Sequence, residues 1–145
     1  MGHTYTSSIF HCVFSTKDRS STIVDPEKLW AYLRGTAKNI GLRAIAIGGT
    51  RDHVHILLSL PANMPLAEAV QKLKANSSRW LGEAGSWPGW QKGYGAFSVS
   101  ASNLAAVTAY VENQAAHHSK RGFHDEFVAL LEKSGVHFDP ADVFD

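Results

Sequence analysis

The pair of histidines at positions 53 and 55 is the feature of this sequence with the clearest chemical potential. They stand two residues apart in the segment DHVHIL, residues 52–57. Side chains alternate along a β-strand, so His53 and His55 would project to the same face of a strand. Two imidazoles held this way can bind one metal ion. The same spacing also arises when two histidines lie half-exposed on a sheet face, and the pair alone leaves both interpretations open.

A tyrosine and a glutamine four residues apart form the second candidate. Tyr110 and Gln114 fall in a predicted helix over residues 103–120, where this spacing places both side chains on one face. His117 and His118 continue that face one turn later, as DNA contacts, as support for a metal site, or as a cationic cap on the helix C-terminus. A tyrosine at the margin of an apolar stripe can also be a boundary residue that packs its ring and exposes its hydroxyl.

The elements that must position these residues follow from hydrophobic periodicity, which predicts the order β-α-β-β-α-β-α-α. The first six elements match the ferredoxin-like βαββαβ arrangement, an α+β fold with an antiparallel sheet and additional C-terminal helices that carry the tyrosine. The free face of the sheet would then receive a ligand or the third helix. The predicted strands cover residues 5–15, two segments within 45–60, and 94–100; the predicted helices cover residues 26–40, 66–81, 103–120 and 125–134.

Composition limits the classes of protein to consider. The 145 residues, 44% of them apolar and 19% charged, indicate a single globular domain over residues 1–145. Without an apolar run long enough for a membrane span, a secretory signal or a second cysteine to pair with Cys12, we expect a cytoplasmic protein. Fourteen basic against thirteen acidic residues leave a net charge of +1, so any DNA binding must use a local patch.

Taken together, these segments resemble the HUH-type single-tyrosine transposases of insertion sequences and their REP-associated relatives. The resemblance rests on DHVHIL at residues 52–57, on YVENQ at 110–114 followed by two histidines, and on WQKGYGAFSVS at 90–100. The opening strand running into STKDR at 15–19 fits as well. The resemblance spans nearly the whole chain and is far more specific than either short motif alone.

The resemblance implies a transposase that cleaves and rejoins single-stranded, hairpin-bearing DNA. Tyr110 would be the nucleophile and would form a 5′-phosphotyrosine intermediate, while His53, His55 and Gln114 would bind Mg²⁺ or Mn²⁺. Imidazole pairs suit zinc and magnesium prefers oxygen ligands, so manganese reconciles the chemistry best. The resemblance also implies a nucleoid-associated homodimer in which the Tyr110 helix serves the partner's histidines.

Two alternatives and a set of DNA contacts complete the predictions. The alternative enzyme is a hydrolase that holds zinc with His53, His55 and a third histidine, and the non-enzyme alternative is a domesticated relative that binds DNA hairpins without cutting. Basic side chains at three positions are candidate phosphate contacts, although for two of them a solvated helix face is the commoner arrangement. A tryptophan could stack on unpaired bases or anchor its loop to the core. These candidates are Arg51, Lys72, Arg79 and Trp90.

Overall fold

Four strands form one antiparallel sheet in the order β2-β3-β1-β4. The structure, a computed structural model, describes residues 2–118 and 122–144, except the side chains of residues 117 and 118. The order of elements along the chain confirms the ferredoxin-like α+β fold with additional C-terminal helices. The strands are β1 Ile9–Ser15, β2 Arg43–Gly49, β3 His53–Ser59 and β4 Gly95–Ser98; the helices are α1 Pro26–Asn39, α2 Leu66–Gly82, α3 Leu104–Glu112, α4 Gln114–His118 and α5 Phe123–Lys133.

One face of the sheet packs against α1 and α2 and forms the main hydrophobic core. Alternate residues of the two central strands point to this face, because side chains alternate along a strand. Helix α1 begins at a capping signal, in which the Asp25 carboxylate accepts from the backbone N–H of Lys28 and Pro26 occupies the first helical position, and its apolar side chains then pack into the core. The residues of β1 and β3 in this core are Phe10, Cys12, Phe14, Val54, Ile56 and Leu58, and Ile47 of β2 joins them.

The opposite face of the sheet receives the C-terminal helices, so the third helix, one of the two occupants that the pattern left open, lies there. Val111 of α3 packs on Ala46 and Leu57, and a separate cluster joins Val13 to α5. Both faces of the central strands are therefore covered, which explains why six of the seven residues of β3 are buried. The histidines of β3 lie on this second face, between the sheet and the C-terminal helices.

The C-terminal helices differ from their predicted bounds chiefly in two respects, and the predicted end at residue 120 lies outside the described residues. The helix predicted over residues 103–120 is interrupted at Asn113, a turn residue whose N–H still bonds to the Ala109 carbonyl at 3.0 Å. Asparagine competes for backbone hydrogen bonds and favours helix ends, so the break is consistent with its chemistry. The last helix begins at Phe123 rather than at residue 125. Within the described residues, no helix has both the length and the apolar character that a bilayer crossing demands.

Candidate metal and tyrosine site

His53 and His55 are fully buried, so the interpretation as two half-exposed histidines is wrong. Both side chains have 0% exposure and project from β3 toward the C-terminal helices. The Nε2 atom of His55 lies 2.9 Å from Glu126 Oε1, and the Nε2 atom of His53 lies 3.7 Å from the same oxygen. One ligand atom from each of the three residues lies within 4.8 Å of the others, so the three could hold one metal ion. We call His53, His55 and Glu126 the His–Glu cluster.

Gln114 adds an amide oxygen to this cluster. Its Oε1 lies 3.1 Å from His53 Nε2, and its Nε2 donates to the Tyr110 carbonyl one helical turn earlier at 3.3 Å. The second bond orients the amide, because it directs the NH₂ group toward the helix and leaves the oxygen facing the histidines. Gln114 is 1% exposed. The structure thus brings together the three residues predicted as metal ligands.

The other ring nitrogens of the two histidines have partners that suit metal binding. His53 Nδ1 lies 2.6 Å from the Asp52 carboxylate, and His55 Nδ1 lies 2.7 Å from His11 Nε2. Metal binding through Nε2 requires the ring proton on Nδ1, where each of these partners can accept it. Burial is the main cause, and the neighbouring His55 the second, of a pKa of His11 lowered to about 3, so His11 is neutral at pH 7. Its Nε2 can accept from His55 Nδ1 in the tautomer that carries the His11 ring proton on Nδ1.

The donor set of two imidazole nitrogens, a carboxylate oxygen and an amide oxygen fits a divalent cation of intermediate character. Mn²⁺ accepts such a mixed set, and Mg²⁺ would rely more on the oxygens. A third histidine, as the hydrolase alternative requires, is not supplied by His11, because its Nε2 faces the far side of the His55 ring. A zinc ion at this site would depend on Glu126 instead.

Tyr110 lies at the edge of the His–Glu cluster. Its hydroxyl donates to Glu126 Oε2, and its ring centroid lies 5.8 Å from that of His55. Tyr110 and Glu126 also line a cleft of about 430 Å³ between α3 and α5, within the range of cavities that hold small ligands. The rim of the cleft includes Asn103 and Lys133. The tyrosine oxygen therefore lies where an approaching phosphodiester could meet both the hydroxyl and the cluster.

Glu126 is the site residue that sequence reasoning missed, although the sequence contains a signal for it. In α5, the apolar side chains at positions 123, 127 and 131 recur on one helix face, and residue 126 falls on that face. A carboxylate on an apolar stripe is unusual and calls for a partner. The fold buries Glu126 to 1% exposure and supplies Tyr110 and His55 as partners. The roles of Asp52 and His11 depend on pairing between strand ends and between strands, which local spacing does not reveal.

The predicted DNA contacts are distributed over two sides of the molecule. Arg51 is exposed beside Asp52, at a shallow cleft of about 440 Å³. Lys72 and Arg79 lie on α2, which packs on the sheet face opposite the cluster; Lys72 pairs with Glu68 at 3.0 Å, and Arg79 donates to Asn76 at 2.6 Å. Their roles in DNA binding remain predictions.

Trp90 occupies an anchoring position in its loop. Its indole N–H donates to Ser77 Oγ at 3.0 Å, and its ring packs edge-on against Phe14 at 4.8 Å between centroids. These contacts agree with the anchoring interpretation, and base stacking by the exposed part of the ring stays a prediction. The side chains of His117 and His118 lie outside the described residues, and so do the interpretations given for them.

Comparison with known proteins assigns the chain to a family. The family model described as "Transposase IS200 like" matches residues 4–114. The ISDra2 transposase TnpA of Deinococcus radiodurans is 30% identical over 115 residues, which covers 72% of this chain and 82% of the relative. A solved structure of a D. radiodurans R1 protein assigned as a transposase has 30% identity and a TM-score of 0.62, covering 79% of this chain and 96% of that one.

A fourth similarity concerns the fold alone. The structure of a REP-associated tyrosine transposase bound to a REP hairpin matches with a TM-score of 0.62 at 14% identity, over 98% of this chain and 94% of that chain. Because the family model spans well over half of the residues and the TnpA relative matches most of the chain, this protein belongs to the IS200-like family of HUH-type single-tyrosine transposases, which act in DNA transposition.

Proposed function

We propose that this protein is a metal-dependent transposase that cleaves and rejoins single-stranded, hairpin-bearing DNA through a 5′-phosphotyrosine intermediate. The observation that carries the proposal is the contact between the Tyr110 hydroxyl and a buried carboxylate of the His–Glu cluster, at the floor of an open cleft. A nucleophile, a cation site and access for a strand occur together there. Membership of the transposase family supports the same chemistry.

In the proposed reaction, the Tyr110 oxygen attacks the phosphorus of a phosphodiester that lies in the cleft. The bond between this oxygen and phosphorus forms as the bond from phosphorus to the 3′ oxygen breaks, which leaves a free 3′-hydroxyl and a 5′-phosphotyrosine. Attack by another 3′-hydroxyl reverses the step and rejoins a different strand, so no nucleotide cofactor is needed. His53, His55, Gln114 and Glu126 would hold Mn²⁺ or Mg²⁺, which would withdraw charge from a non-bridging phosphate oxygen.

A hairpin substrate is proposed on two grounds. The REP-associated tyrosine transposase that shares this fold was solved with a REP hairpin. A net charge of +1 gives this chain no broad attractive field, so shape and unpaired bases must supply selectivity. We assign Arg51, Lys72, Arg79 and Trp90 to the DNA contacts of this proposal, with Arg51 nearest to the cluster through its neighbour Asp52.

The experiment that tests the proposed function measures the covalent DNA adduct in the unsubstituted protein, in Tyr110→Phe and in the control variant Tyr94→Phe. The Tyr110→Phe variant should lose the covalent DNA adduct on denaturing gels, because the nucleophilic oxygen is gone while the ring still packs. Hairpin binding should persist. Tyr94 is exposed and lines a different cleft, beside α2, so its variant should form the adduct at the unsubstituted rate. An adduct that persists in Tyr110→Phe would reject the assignment.

The two alternative functions, a non-cutting hairpin binder and a zinc hydrolase, predict different results for the same purified protein. A domesticated hairpin binder would show wild-type hairpin binding with no adduct from the unsubstituted protein. A zinc hydrolase would retain stoichiometric zinc through purification and lose it on substitution of His53 or His55. Elemental analysis of the purified protein and of His55→Ala distinguishes that outcome from weak binding of Mn²⁺.

We also propose a homodimer with shared active sites, on the strength of the family resemblance. In the single chain described, Tyr110 contacts Glu126 of the same chain, so a shared site requires that α3 be exchanged between protomers. Exchange of an identical element is a low-cost route to a dimer. Mixing Tyr110→Phe with His53→Ala chains tests this, because a shared arrangement creates one intact site per heterodimer. Activity that stays absent in proven heterodimers would show that each site forms within one chain.

A further inference from the structure

We propose that Glu126 is a catalytic residue that accepts the proton of the Tyr110 hydroxyl as the phosphotyrosine bond forms. This inference rests on the proposed function, because it concerns the same tyrosine and the same cluster. It assigns a chemical role to a residue outside the segment matched by the family model, which ends at residue 114. The role therefore comes from the geometry of this chain.

The two oxygens of the Glu126 carboxylate face different partners. Oε1 lies 2.9 Å from His55 Nε2 and 3.7 Å from His53 Nε2, while Oε2 accepts from the Tyr110 hydroxyl. One oxygen is thus directed to the cation position and the other to the nucleophile. A carboxylate 1% exposed has little access to water, so these contacts determine what it can do.

Two neighbouring rings among the described side chains, those of His55 and His11, are engaged in other contacts. His55 uses Nε2 toward Glu126 and Nδ1 toward His11, and both rings stand nearly perpendicular to the tyrosine ring at centroid distances of 5.8 and 6.0 Å. The Glu126 carboxylate already accepts a hydrogen bond from the hydroxyl. A general base must lie within hydrogen-bonding reach of the proton that it removes, and Glu126 meets that condition.

The proton balance of the proposed step is complete. At rest the phenol carries the proton, which it donates to Glu126 Oε2 in a hydrogen bond. As the Tyr110 oxygen bonds to phosphorus, its proton moves to Glu126 Oε2, and the departing 3′ oxygen takes a proton from water. In the joining step, the incoming 3′-hydroxyl loses its proton to solvent, and the departing Tyr110 oxygen recovers the proton held by Glu126.

The experiment compares the single-turnover rate of adduct formation in Glu126→Gln and Glu126→Asp at saturating Mn²⁺. Glutamine preserves the shape but cannot accept the proton, whereas aspartate keeps a carboxylate on a shorter side chain. If Glu126 accepts the proton, Glu126→Asp should react faster than Glu126→Gln. If Glu126 only packs, Glu126→Gln should react faster than Glu126→Asp. We expect Glu126→Gln to react about 100-fold or more slowly than the unsubstituted protein, the usual range for loss of a general base. Glu132→Gln is the control, since Glu132 is exposed on the same helix.

Three further measurements separate this role from metal binding alone. The affinity for Mn²⁺ is measured by electron paramagnetic resonance and hairpin affinity by fluorescence anisotropy, so that folding and both ligands are verified for each variant. In Glu126→Ala, added formate should restore adduct formation at saturating Mn²⁺, because a small carboxylate can occupy the vacated space. A Glu126→Gln rate within tenfold of the unsubstituted rate at saturating Mn²⁺ overturns the inference. The proposed function stands in either case if Tyr110→Phe still abolishes the adduct, and it fails if the unsubstituted protein forms none.

Discussion

Substituting Gly48 by alanine should impair both folding and strand cleavage, although Gly48 makes no contact with DNA in the proposed reaction. Gly48 pairs with His55 across the sheet and lies directly beneath α3. Its backbone does not lie in the left-handed region, so alanine is permitted there by conformation. A Cβ atom at this position, however, would lie 1.9 Å from the carbonyl oxygen of Val111.

The size of the effect follows from that distance. Relief of the overlap requires α3 to move away from β2 by about 1 Å, a backbone shift of the kind that costs about 1–3 kcal/mol of unfolding free energy in a packed core. Helix α3 carries Tyr110, and Gln114 follows directly after it. A displacement of about 1 Å at reacting groups can reduce a rate on the order of 100-fold. We therefore expect a moderate loss of stability and a large loss of adduct formation.

The assay combines urea unfolding with single-turnover adduct formation, and Gly35→Ala is the matched control. Gly35 lies within α1 with no atom near its prospective Cβ, so alanine should stabilise the protein by about 0.5–1 kcal/mol by favouring the helix. The same chemical change thus has opposite predicted signs at the two positions. The reasoning is wrong if Gly48→Ala has the same urea midpoint of unfolding as the unsubstituted protein and forms the adduct at the same rate, because α3 then does not pack on Gly48.

Three other predictions test the remaining assignments. Replacing His53 or His55 by alanine should abolish Mn²⁺ binding measured by calorimetry, and retained stoichiometric binding would remove that histidine from the site. Arg51→Ala should weaken hairpin binding and reduce the slope of log affinity against log salt by about 1, whereas the exposed Arg34→Ala on α1 should leave the slope unchanged. Single-stranded or hairpin DNA should bind more tightly than an unrelated duplex of equal length, and equal affinities would contradict shape recognition.

Local spacing was enough to predict the parts of the site that lie within single elements. His53 and His55 share a strand face because of the twofold alternation of β structure, and Tyr110 and Gln114 are neighbours across one helical turn. The helix break at Asn113 does not separate the second pair, since Gln114 still donates to the Tyr110 carbonyl. The same periodicities predicted the ferredoxin-like order of elements, because each strand and helix buries a face of its own.

The remaining site residues depend on pairings between elements that are distant in sequence. His11 reaches His55 only because β1 lies beside β3 in the sheet, 44 positions apart in the chain. Glu126 reaches Tyr110 and His55 because α5 packs on Val13 through Phe123 and Phe127. No local pattern determines where α5 lies relative to α3. The sequence therefore marks Glu126 as an unusual carboxylate on an apolar helix face but does not reveal that Tyr110 and His55 are its partners.

The burial of Glu126 is better explained by chemistry than by stability. Removing a carboxylate from water is costly, and an apolar residue at position 126 would continue the stripe of α5 without that cost. The cost is offset by a specific set of partners, a hydroxyl on one oxygen and imidazole nitrogens on the other. Each of these partners is itself a residue with a proposed chemical role, and the cleft opens at the same carboxylate. A functional constraint is expected at a position that violates the local pattern, contacts reactive groups and borders a cleft.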